Sequence, residues 1–225
     1  QELEFQKTTK VMEELSELLK IENIRIIEAF DNSNINGASA VSAMVSFIDG
    51  KPNKKGYRKY KVKTVEGAND AATMHEVVTR RYSKISNYPD LIIMDGGAIQ
   101  VNSCLQALKE LDISIPVCGL VKDDNHRTDH LLYNDRDIYI DKKSNLFLFL
   151  ESVQDEVHRY AITFHHQLHG KKTFASALDN IKGIGKVKKT KILEIVGKKN
   201  FEEELMKLKF NEEQTREILK IFNHE

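Results

Sequence analysis

The chain has 225 residues, of which 40% are hydrophobic and 30% charged, the composition of an ordinary globular protein. Its 34 basic and 34 acidic side chains cancel, so the total charge favours no class of partner, and the longest apolar run, at residues 146–150, is far shorter than the ~18 residues of a membrane span. Two cysteines without metal or redox spacing exclude a disulfide scaffold and favour a reducing, cytoplasmic setting.

The beginning of the chain predicts a helix and then three strands. The start at Gln1 instead of Met indicates a fragment of something longer, and no signal-peptide core follows it. Residues 2–19 place apolar side chains at helical spacing, either as a packed first helix or as the tail of an upstream linker. Three strand candidates follow, at residues 21–30, 38–48 and 57–65. Short connections between them favour an antiparallel meander in which Asp31 closes the first strand.

The centre of the chain predicts a buried strand that ends at an acid. Residues 88–97 begin with a proline turn, continue through four apolar residues and close on Asp95, Gly96 and Gly97. Such a run is typical of a strand buried on both faces of a parallel sheet. An acid at a strand end before a glycine-rich turn is where open α/β sheets bind ligands. The same acid could equally have a structural role, either stabilising the turn or capping the next helix. The residues alone leave the ligand-binding and the structural interpretations open.

The remaining elements of the first 170 residues complete a recognisable order. We predict helices at residues 70–82, 98–111 and 146–168, a strand at 114–121 and a hairpin at 131–140. The order of three strands, helix, strand, helix and strand matches the ribonuclease H-like fold, an α/β fold whose mixed sheet is flanked by helices. Because the first and fourth strands are neighbours in that fold, we expect Asp31 and Asp95 to lie side by side.

Asp31, Asp95 and His158 are the candidates for chemistry in this part. Two adjacent carboxylates repel, and Mg²⁺ or Mn²⁺ relieves the repulsion and can activate water for phosphodiester cleavage. The alternative is two unrelated turn acids, because the long stretch between them follows no spacing rule. His158, on the last predicted helix, could be a third ligand or move a proton. Most of the eight histidines are nevertheless expected to be structural.

The composition changes at about residue 170. Residues 171–199 carry nine basic side chains against two acids, so the remainder of the chain is correspondingly negative. We therefore predict three parts: an N-terminal helix or linker at 1–20, the α/β domain at 21–170 and a small all-α domain at 171–225. Residues 170–173 would be the linker between the last two.

The all-α part predicts a helix-hairpin-helix motif, which binds the nucleic-acid backbone. Its glycines let backbone N–H groups face a phosphate, Ile181 and Ile184 are placed to pack the turn, and the lysines attract any nucleic acid. The candidate DNA-binding residues are Lys182, Gly183, Gly185, Lys186, Lys188 and Lys189. The alternative is a solvated lysine face after a glycine cap. Residues 207–212 stand in the place of a second hairpin but lack glycine, and we expect that half to pack against the first.

Five stretches together resemble the UvrC family, a subunit of the bacterial nucleotide excision repair endonuclease. They are residues 27–33, 91–97, 119–128, 155–165 and 181–186, in the order that the family has them. The resemblance implies a ribonuclease H-like endonuclease domain followed by a helix-hairpin-helix domain. It further implies the incision on the 5′ side of a DNA lesion, with damaged double-stranded DNA and the UvrB–DNA complex as partners.

The resemblance also implies which residues form the site. The family's catalytic Asp-Asp-His set falls on Asp31, Asp95 and His158, which would also bind Mg²⁺ or Mn²⁺. A further acid of the family falls on Asp70, which local sequence explains equally well as a helix N-cap. Lys122 and Asp123 belong to another family motif near the active face.

Three departures from the family pattern limit what we expect of this chain. The family usually has histidine where Asn34 stands, and it has glycine in the second hairpin. Its N-terminal nuclease domain, which makes the 3′ incision, and its UvrB-binding segment have no counterpart here. We therefore expect at most one of the two cuts.

Two other functions remain compatible with the residues. One is a DNA-binding module whose nuclease-like fold is inactive, which would bind DNA but not cut it. The other is nucleotide binding at Asp95, Gly96 and Gly97, which lacks the lysine signature of a phosphate loop.

Overall fold

A mixed sheet with helices on both faces forms the first part of the protein. The computed structural model describes residues 2–33, 41–62, 69–195, 201–208 and 210–223. The helices are α1 (Glu2–Leu19), α2 (Asp70–Tyr82), α3 (Ala98–Glu110), α4 (Asn145–Leu178), α5 (Lys186–Ile195), α6 (Phe201–Lys207) and α7 (Glu212–Asn223). The strands are β1 (Ile26–Ser33), β2 (Val41–Ile48), β3 (Lys51–Pro52), β4 (Arg58–Lys61), β5 (Leu91–Asp95), β6 (Val117–Lys122), β7 (Thr128–Tyr133) and β8 (Arg136–Ile138).

The strand order of the sheet is β3-β2-β1-β5-β6-β7-β8, and β4 pairs with β2. β1, β5 and β6 run parallel to one another, whereas the other pairs are antiparallel. The expected neighbours are confirmed, because β1 pairs with β5 from Ile27↔Leu91 to Phe30↔Met94. The mixed sheet flanked by helices confirms the α/β, ribonuclease H-like fold class.

The alternation of side chains along the strands divides the core into two layers. Ala29 and Ile93 lie in the layer that α1 and α4 cover, whereas Phe30 and Met94 lie in the layer that α2 and α3 cover. Because side chains on a strand alternate with a period of two, residues two positions beyond Ala29 and Ile93 face α4 as well. This parity places the carboxylates at positions 31 and 95 on the same face of the sheet.

The strands of the meander differ in detail from the predicted ones. β1 continues past Asp31 to Ser33, so the acid lies within the strand and not at its end. The edge beside β2 is divided into β3 and β4 by a short 3-10 turn at Lys54–Gly56. At Gly56 a Cβ would lie 2.7 Å from the Cβ of Ser46, so only glycine lets the chain approach β2 this closely. The predicted strand residues 38–40 and 63–65 lie outside the described residues.

The chain forms two compact units, Gln1–Ile162 and Thr163–Glu225. Residues 170–173, predicted as a linker, lie inside α4, and the division falls earlier in that helix. A single glycine costs a helix only about 1 kcal/mol relative to alanine, which a helix as long as α4 can absorb. A change in composition therefore does not mark a break in the backbone here. Within the described ranges no helix is long and apolar enough to cross a membrane.

The second unit contains the predicted hairpin between α4 and α5. Ile181 and Ile184 are buried in its small core, and Gly183 has a φ of +82°, which favours glycine. Gln214 of α7 donates a hydrogen bond of 3.2 Å from Nε2 to the carbonyl oxygen of Lys182. The half without glycine therefore supports the first hairpin turn, as the sequence predicts.

Candidate metal centre

Three side chains from β1, β5 and α4 form a cluster at one end of the sheet. One possible ligand atom from each of Asp31, Asp95 and His158 lies within 4.8 Å of the other two. His158 Nδ1 lies 3.0 Å from Asp31 Oδ2 and 4.0 Å from Asp95 Oδ2. The Asp31 and Asp95 side chains are 8% and 5% exposed, whereas that of His158 is 53% exposed. The cluster is therefore closed towards the core and open on the histidine side.

Strand parity and helix packing explain the position of each of the three side chains. Asp31 and Asp95 share the face of the sheet below α4 because of strand parity. On α4, Val157 and Ala161 are buried against the sheet, and His158 lies beside that buried stripe. The helix therefore holds the imidazole over Asp31 of β1 and the end of β5 without burying it.

Burial and a neighbouring carboxylate both act on the pKa of Asp31. Burial, and next the charge of Asp95, raise the pKa of Asp31 from 3.8 to about 6. The hydrogen bond and charge of His158 and the ammonium group of Lys122 act in the opposite direction on this pKa and only partly compensate. A carboxylate with this environment favours a bound proton or a bound cation over being charged and alone.

The donor set fits a divalent cation that prefers oxygen. Ligand atoms about 2.1 Å from one ion can be at most about 4.2 Å apart, a limit that the 3.0 and 4.0 Å separations around His158 Nδ1 meet, whereas the three ligand atoms together lie within 4.8 Å. Carboxylates suit Mg²⁺ and Mn²⁺, whereas imidazole suits Zn²⁺ and other transition metals. Asp31, Asp95 and His158 are the residues that could hold such an ion.

Lys122 is the first residue near the cluster whose role the sequence did not reveal. Its Nζ lies 3.0 Å from Asp95 Oδ2 and donates a hydrogen bond to it. It lies two positions beyond Leu120, which is buried in the layer under α4, so strand parity could have indicated its direction. The neighbouring Asp123 instead accepts backbone hydrogen bonds from Asn125 and Arg127, and so shapes a turn.

Gln154 is the second such residue, and no sequence signal pointed to it. It is 2% exposed, and its Nε2 donates to Asp95 Oδ1 at 2.7 Å and to the carbonyl oxygen of Leu120 at 3.0 Å. Its Oε1 accepts a hydrogen bond from the Thr128 hydroxyl. All polar atoms of this side chain therefore serve to orient Asp95 against β6 and β7.

The turn after Asp95 lies close to β6, with Gly96 next to Gly119. A Cβ at Gly119 would lie 2.4 Å from the carbonyl oxygen of Gly96, so a larger residue would displace the turn. The N-cap of α3 is Gly97, whose N–H donates to Gln100 Oε1 at 3.2 Å. The Asp95 carboxylate therefore does not cap α3.

Asp70 lies outside the cluster. It is the first residue of α2, and the N-cap is Asn69, whose Oδ1 accepts from the Ala72 N–H at 3.0 Å. The expected N-cap role of Asp70 is therefore wrong by one position. Asn32 Nδ2 donates to the carbonyl oxygen of Asp70 at 3.1 Å, which brings the start of α2 beside β1. Asn34 lies outside the described residues.

The predicted DNA-binding residues lie at the hairpin turn of the second unit. Lys182, Lys186 and Lys188 are exposed, as are Gly183 and Gly185. The first turn of α5 contains no acid, which leaves its N-terminus open to an anion.

Other charges distinguish the two hairpins. Lys189 Nζ forms an ion pair of 2.6 Å with Asp179, so part of its charge is already compensated. In the second half, Asn211 Oδ1 caps α7, and Glu212 and Glu213 occupy the first turn. Two negative side chains at a helix N-terminus repel phosphate, so the N-terminus of α7 is less suited to an anion than that of α5.

Comparison with known proteins identifies the family. Residues 16–162 match the family described as the UvrC RNase H endonuclease domain. The chain belongs to the UvrC family. It is 52% identical over 199 residues to the UvrABC system protein C of two Streptococcus thermophilus strains, which covers 85% of this chain and 33% of each relative. The chain thus spans about a third of the length of these UvrC relatives.

The solved structures that resemble this UvrC-family chain include endonucleases V. The enzyme of Ciona intestinalis, crystallised with DNA, has 17% identity and a TM-score of 0.34, covering 54% of this chain and 57% of its own. That of Bacillus subtilis has 12% identity and a TM-score of 0.34, covering 70% of this chain and 92% of its own.

Proposed function

We propose that this chain is the part of a UvrC-type repair endonuclease that makes the 5′-side incision near a DNA lesion, in a metal-dependent reaction. The observation that carries the proposal is the Asp31–Asp95–His158 cluster within the endonuclease domain of the family. Two buried carboxylates, of which Asp31 has a raised pKa, and one accessible imidazole form a site for a hard divalent cation.

The residues of the chain have separate roles in this reaction. Asp31 and Asp95 hold Mg²⁺ or Mn²⁺, and His158 completes the set from the open side. The bound ion supplies positive charge to a phosphodiester oxygen and lowers the pKa of a water molecule. Lys122 Nζ, beside Asp95 at 3.0 Å, adds a second positive charge near the scissile phosphate. Asp70, the first residue of α2, is not one of these three clustered residues and stays a further candidate acid.

Binding of the damaged duplex is assigned to the first hairpin of the second unit. Lys182, Lys186 and Lys188 would neutralise phosphates, while Gly183 and Gly185 expose the backbone N–H groups of the turn. The UvrB–DNA complex is the partner that we propose for the longer protein, in the bacterial cytoplasm.

The test is incision of a lesion-containing duplex labelled at one 5′ end. The chain is assayed alone and within a full-length UvrC-type protein supplied with the UvrB–DNA complex. We expect a single cut on the 5′ side with Mn²⁺ or Mg²⁺ and none with EDTA. Cutting that continues in EDTA, or DNA binding without any cutting in the full-length setting, would contradict the proposal. The second outcome is what an inactive nuclease-like module predicts.

His158→Gln tests whether the histidine is a ligand. Because its Nδ1 lies within 4.0 Å of both carboxylates, we expect the substitution to weaken Mn²⁺ binding at least ~10-fold. Titration calorimetry with Mn²⁺ measures this directly, and His75→Gln on α2 is the matched control. An unchanged Mn²⁺ affinity would show that His158 is not a ligand, and proton transfer would then be its remaining role.

Gln154→Leu tests the positioning of Asp95. The substitution keeps the volume of the side chain but removes its hydrogen bonds to Asp95 and Leu120. We expect incision to slow by about 10-fold to 100-fold and Mn²⁺ to bind more weakly, while the affinity for DNA stays unchanged. Ser152→Ala, on the exposed side of the same helix, is the control. Normal Mn²⁺ affinity and normal incision in Gln154→Leu would show that Asp95 needs no such support.

A further inference from the structure

The edge of the sheet beside β2 carries a concentration of positive charge that the helix-hairpin-helix does not account for. Residues 51–63 contain seven basic side chains and no acid. We define the basic strip as four lysines of the 3-10 turn and β4, namely Lys54, Lys55, Lys59 and Lys61. Lys54, Lys55 and Lys61 are exposed and, within the described residues, form no ion pair with a carboxylate.

The pairing of the strands places Lys59 and Lys61 of the basic strip on the face of the sheet that carries the metal cluster, and the charge of Lys54 acts on Glu156 of α4. Asp31 of β1 pairs with Ala43 of β2, and Ala43 pairs with Lys59 of β4. Neighbouring strands are about 4.8 Å apart, so Lys59 lies about 10 Å from Asp31 along this row. By strand parity Lys61 shares the face of Lys59, beside α4.

Aromatic side chains hold part of the strip in place. Lys59 Nζ lies 5.0 Å from the centre of the Tyr160 ring, two positions after His158 on α4. The Tyr57 ring meets that of Tyr160 edge-on, with centroids 5.1 Å apart. Tyr57 also donates a hydrogen bond of 2.9 Å to Glu156, which pairs with Arg159 and whose pKa is lowered. A cation on an aromatic platform beside the cluster is a preorganised contact for a phosphate.

We propose that the basic strip binds the phosphate backbone of the DNA strand that passes through the Asp31–Asp95–His158 cluster. This inference rests on the proposed function. It gives the first unit a DNA-binding surface in addition to the hairpin of the second unit. A strand rises about 3.4 Å per nucleotide, so the strip, about 10 Å away, contacts phosphates about three nucleotides from the cut.

Edge strands also carry lysines to prevent pairing with other sheets, and the test must separate this role from DNA binding. The strip variant combines Lys54→Gln, Lys55→Gln and Lys61→Gln. Its charge-matched control combines Lys10→Gln, Lys84→Gln and Lys109→Gln, three exposed lysines outside the strip. Lys59 is left in place because it packs on Tyr160.

The measurement is the affinity for duplex DNA as a function of salt, in EDTA, so that it does not depend on cutting. Each lost phosphate contact lowers the slope of log K against log salt by about 0.9, so the strip variant should lose about 2 to 3. The control variant should keep the wild-type slope. A hairpin variant combining Lys182→Gln, Lys186→Gln and Lys188→Gln should also lower the slope. In a variant that carries both sets of substitutions, the two decreases in slope should add.

The outcomes separate this inference from the proposed function. If the strip variant keeps the wild-type slope and affinity and unfolds at the wild-type temperature, the strip does not bind DNA and the inference fails. Aggregation of the variant would then show only that the lysines protect the edge strand. If the slope falls as expected but wild type never cuts with Mn²⁺, the inference stands and the proposed function fails. Wild-type protein that does not bind DNA at any salt concentration overturns both.

Discussion

Asp95→Asn should abolish incision and leave DNA binding intact. The substitution keeps the size of the side chain but removes a negative ligand from the cluster, beside Lys122 and His158. We expect the rate of incision to fall at least ~1,000-fold, which corresponds to about 4 kcal/mol of lost transition-state stabilisation. The measurement is single-turnover cutting of the lesion duplex by the full-length protein with Mn²⁺.

The control for this substitution is Asp112→Asn, at the far end of α3. Position 112 has a φ of +56°, which asparagine tolerates, so the control changes one charge without straining the backbone. The affinity for DNA should agree within about 2-fold among wild type and both variants, because charge neutralisation by lysines dominates that binding. Wild-type cutting by Asp95→Asn would refute the assignment of the site.

Asp31→Asn should have opposite effects on stability with and without a divalent ion. In EDTA at pH 8, wild type holds two charged carboxylates in a nearly buried cluster, and the pKa of Asp31 is raised from 3.8 to about 6. A shift of this size corresponds to about 3 kcal/mol, which the uncharged asparagine recovers. We expect the first unit of the variant to melt about 5 to 10 °C higher than that of wild type.

The pH dependence of this difference has a definite sign. Because the folded pKa of Asp31 is raised, the folded protein holds its proton more tightly than the unfolded chain. The variant's advantage is therefore absent below about pH 4, grows between about pH 4 and 6, and is complete above that range. Saturating Mn²⁺ should reverse the order, since only wild type retains both carboxylate ligands.

Thermal unfolding by circular dichroism, in EDTA and in Mn²⁺ at several pH values, tests this prediction. Asp155→Asn, an exposed acid on α4, is the control and should behave like wild type in every condition. A variant that melts below wild type in EDTA at pH 8 would mean that Asp31 stabilises the fold without any ion, contrary to a metal site.

Much of the local structure follows from periodicity. The spacing of apolar residues predicted α1 and α2 with the observed bounds, and the four apolar residues before Asp95 predicted β5. The alternation of buried residues in β1 and β5, once the strand order is known, also gives the direction of both carboxylates. The hairpin turn was also predictable from its glycines. Gly183 has a positive φ, a conformation that few other residues adopt.

Other features could not be read from local patterns. His158 contacts Asp31 across 127 positions, and its helical context resembles that of any other surface histidine. Gln154 is a buried polar side chain whose partners come from β5, β6 and β7. The course of α4 through residue 170 was hidden by a change in charge that does not affect helical hydrogen bonding.

The amino-acid sequence by itself determined most of the helices and strands, the order that makes a ribonuclease H-like sheet, and the acids and lysines available for chemistry. Only the tertiary structure decided that Lys122 and Gln154 support Asp95, that His158 joins the two carboxylates, and that Lys59 and Lys61 share their face. The physical reason is the range of the interactions. Backbone periodicity acts over a few neighbouring residues, whereas a site is made by side chains that strand pairing and helix packing bring together from distant parts of the chain.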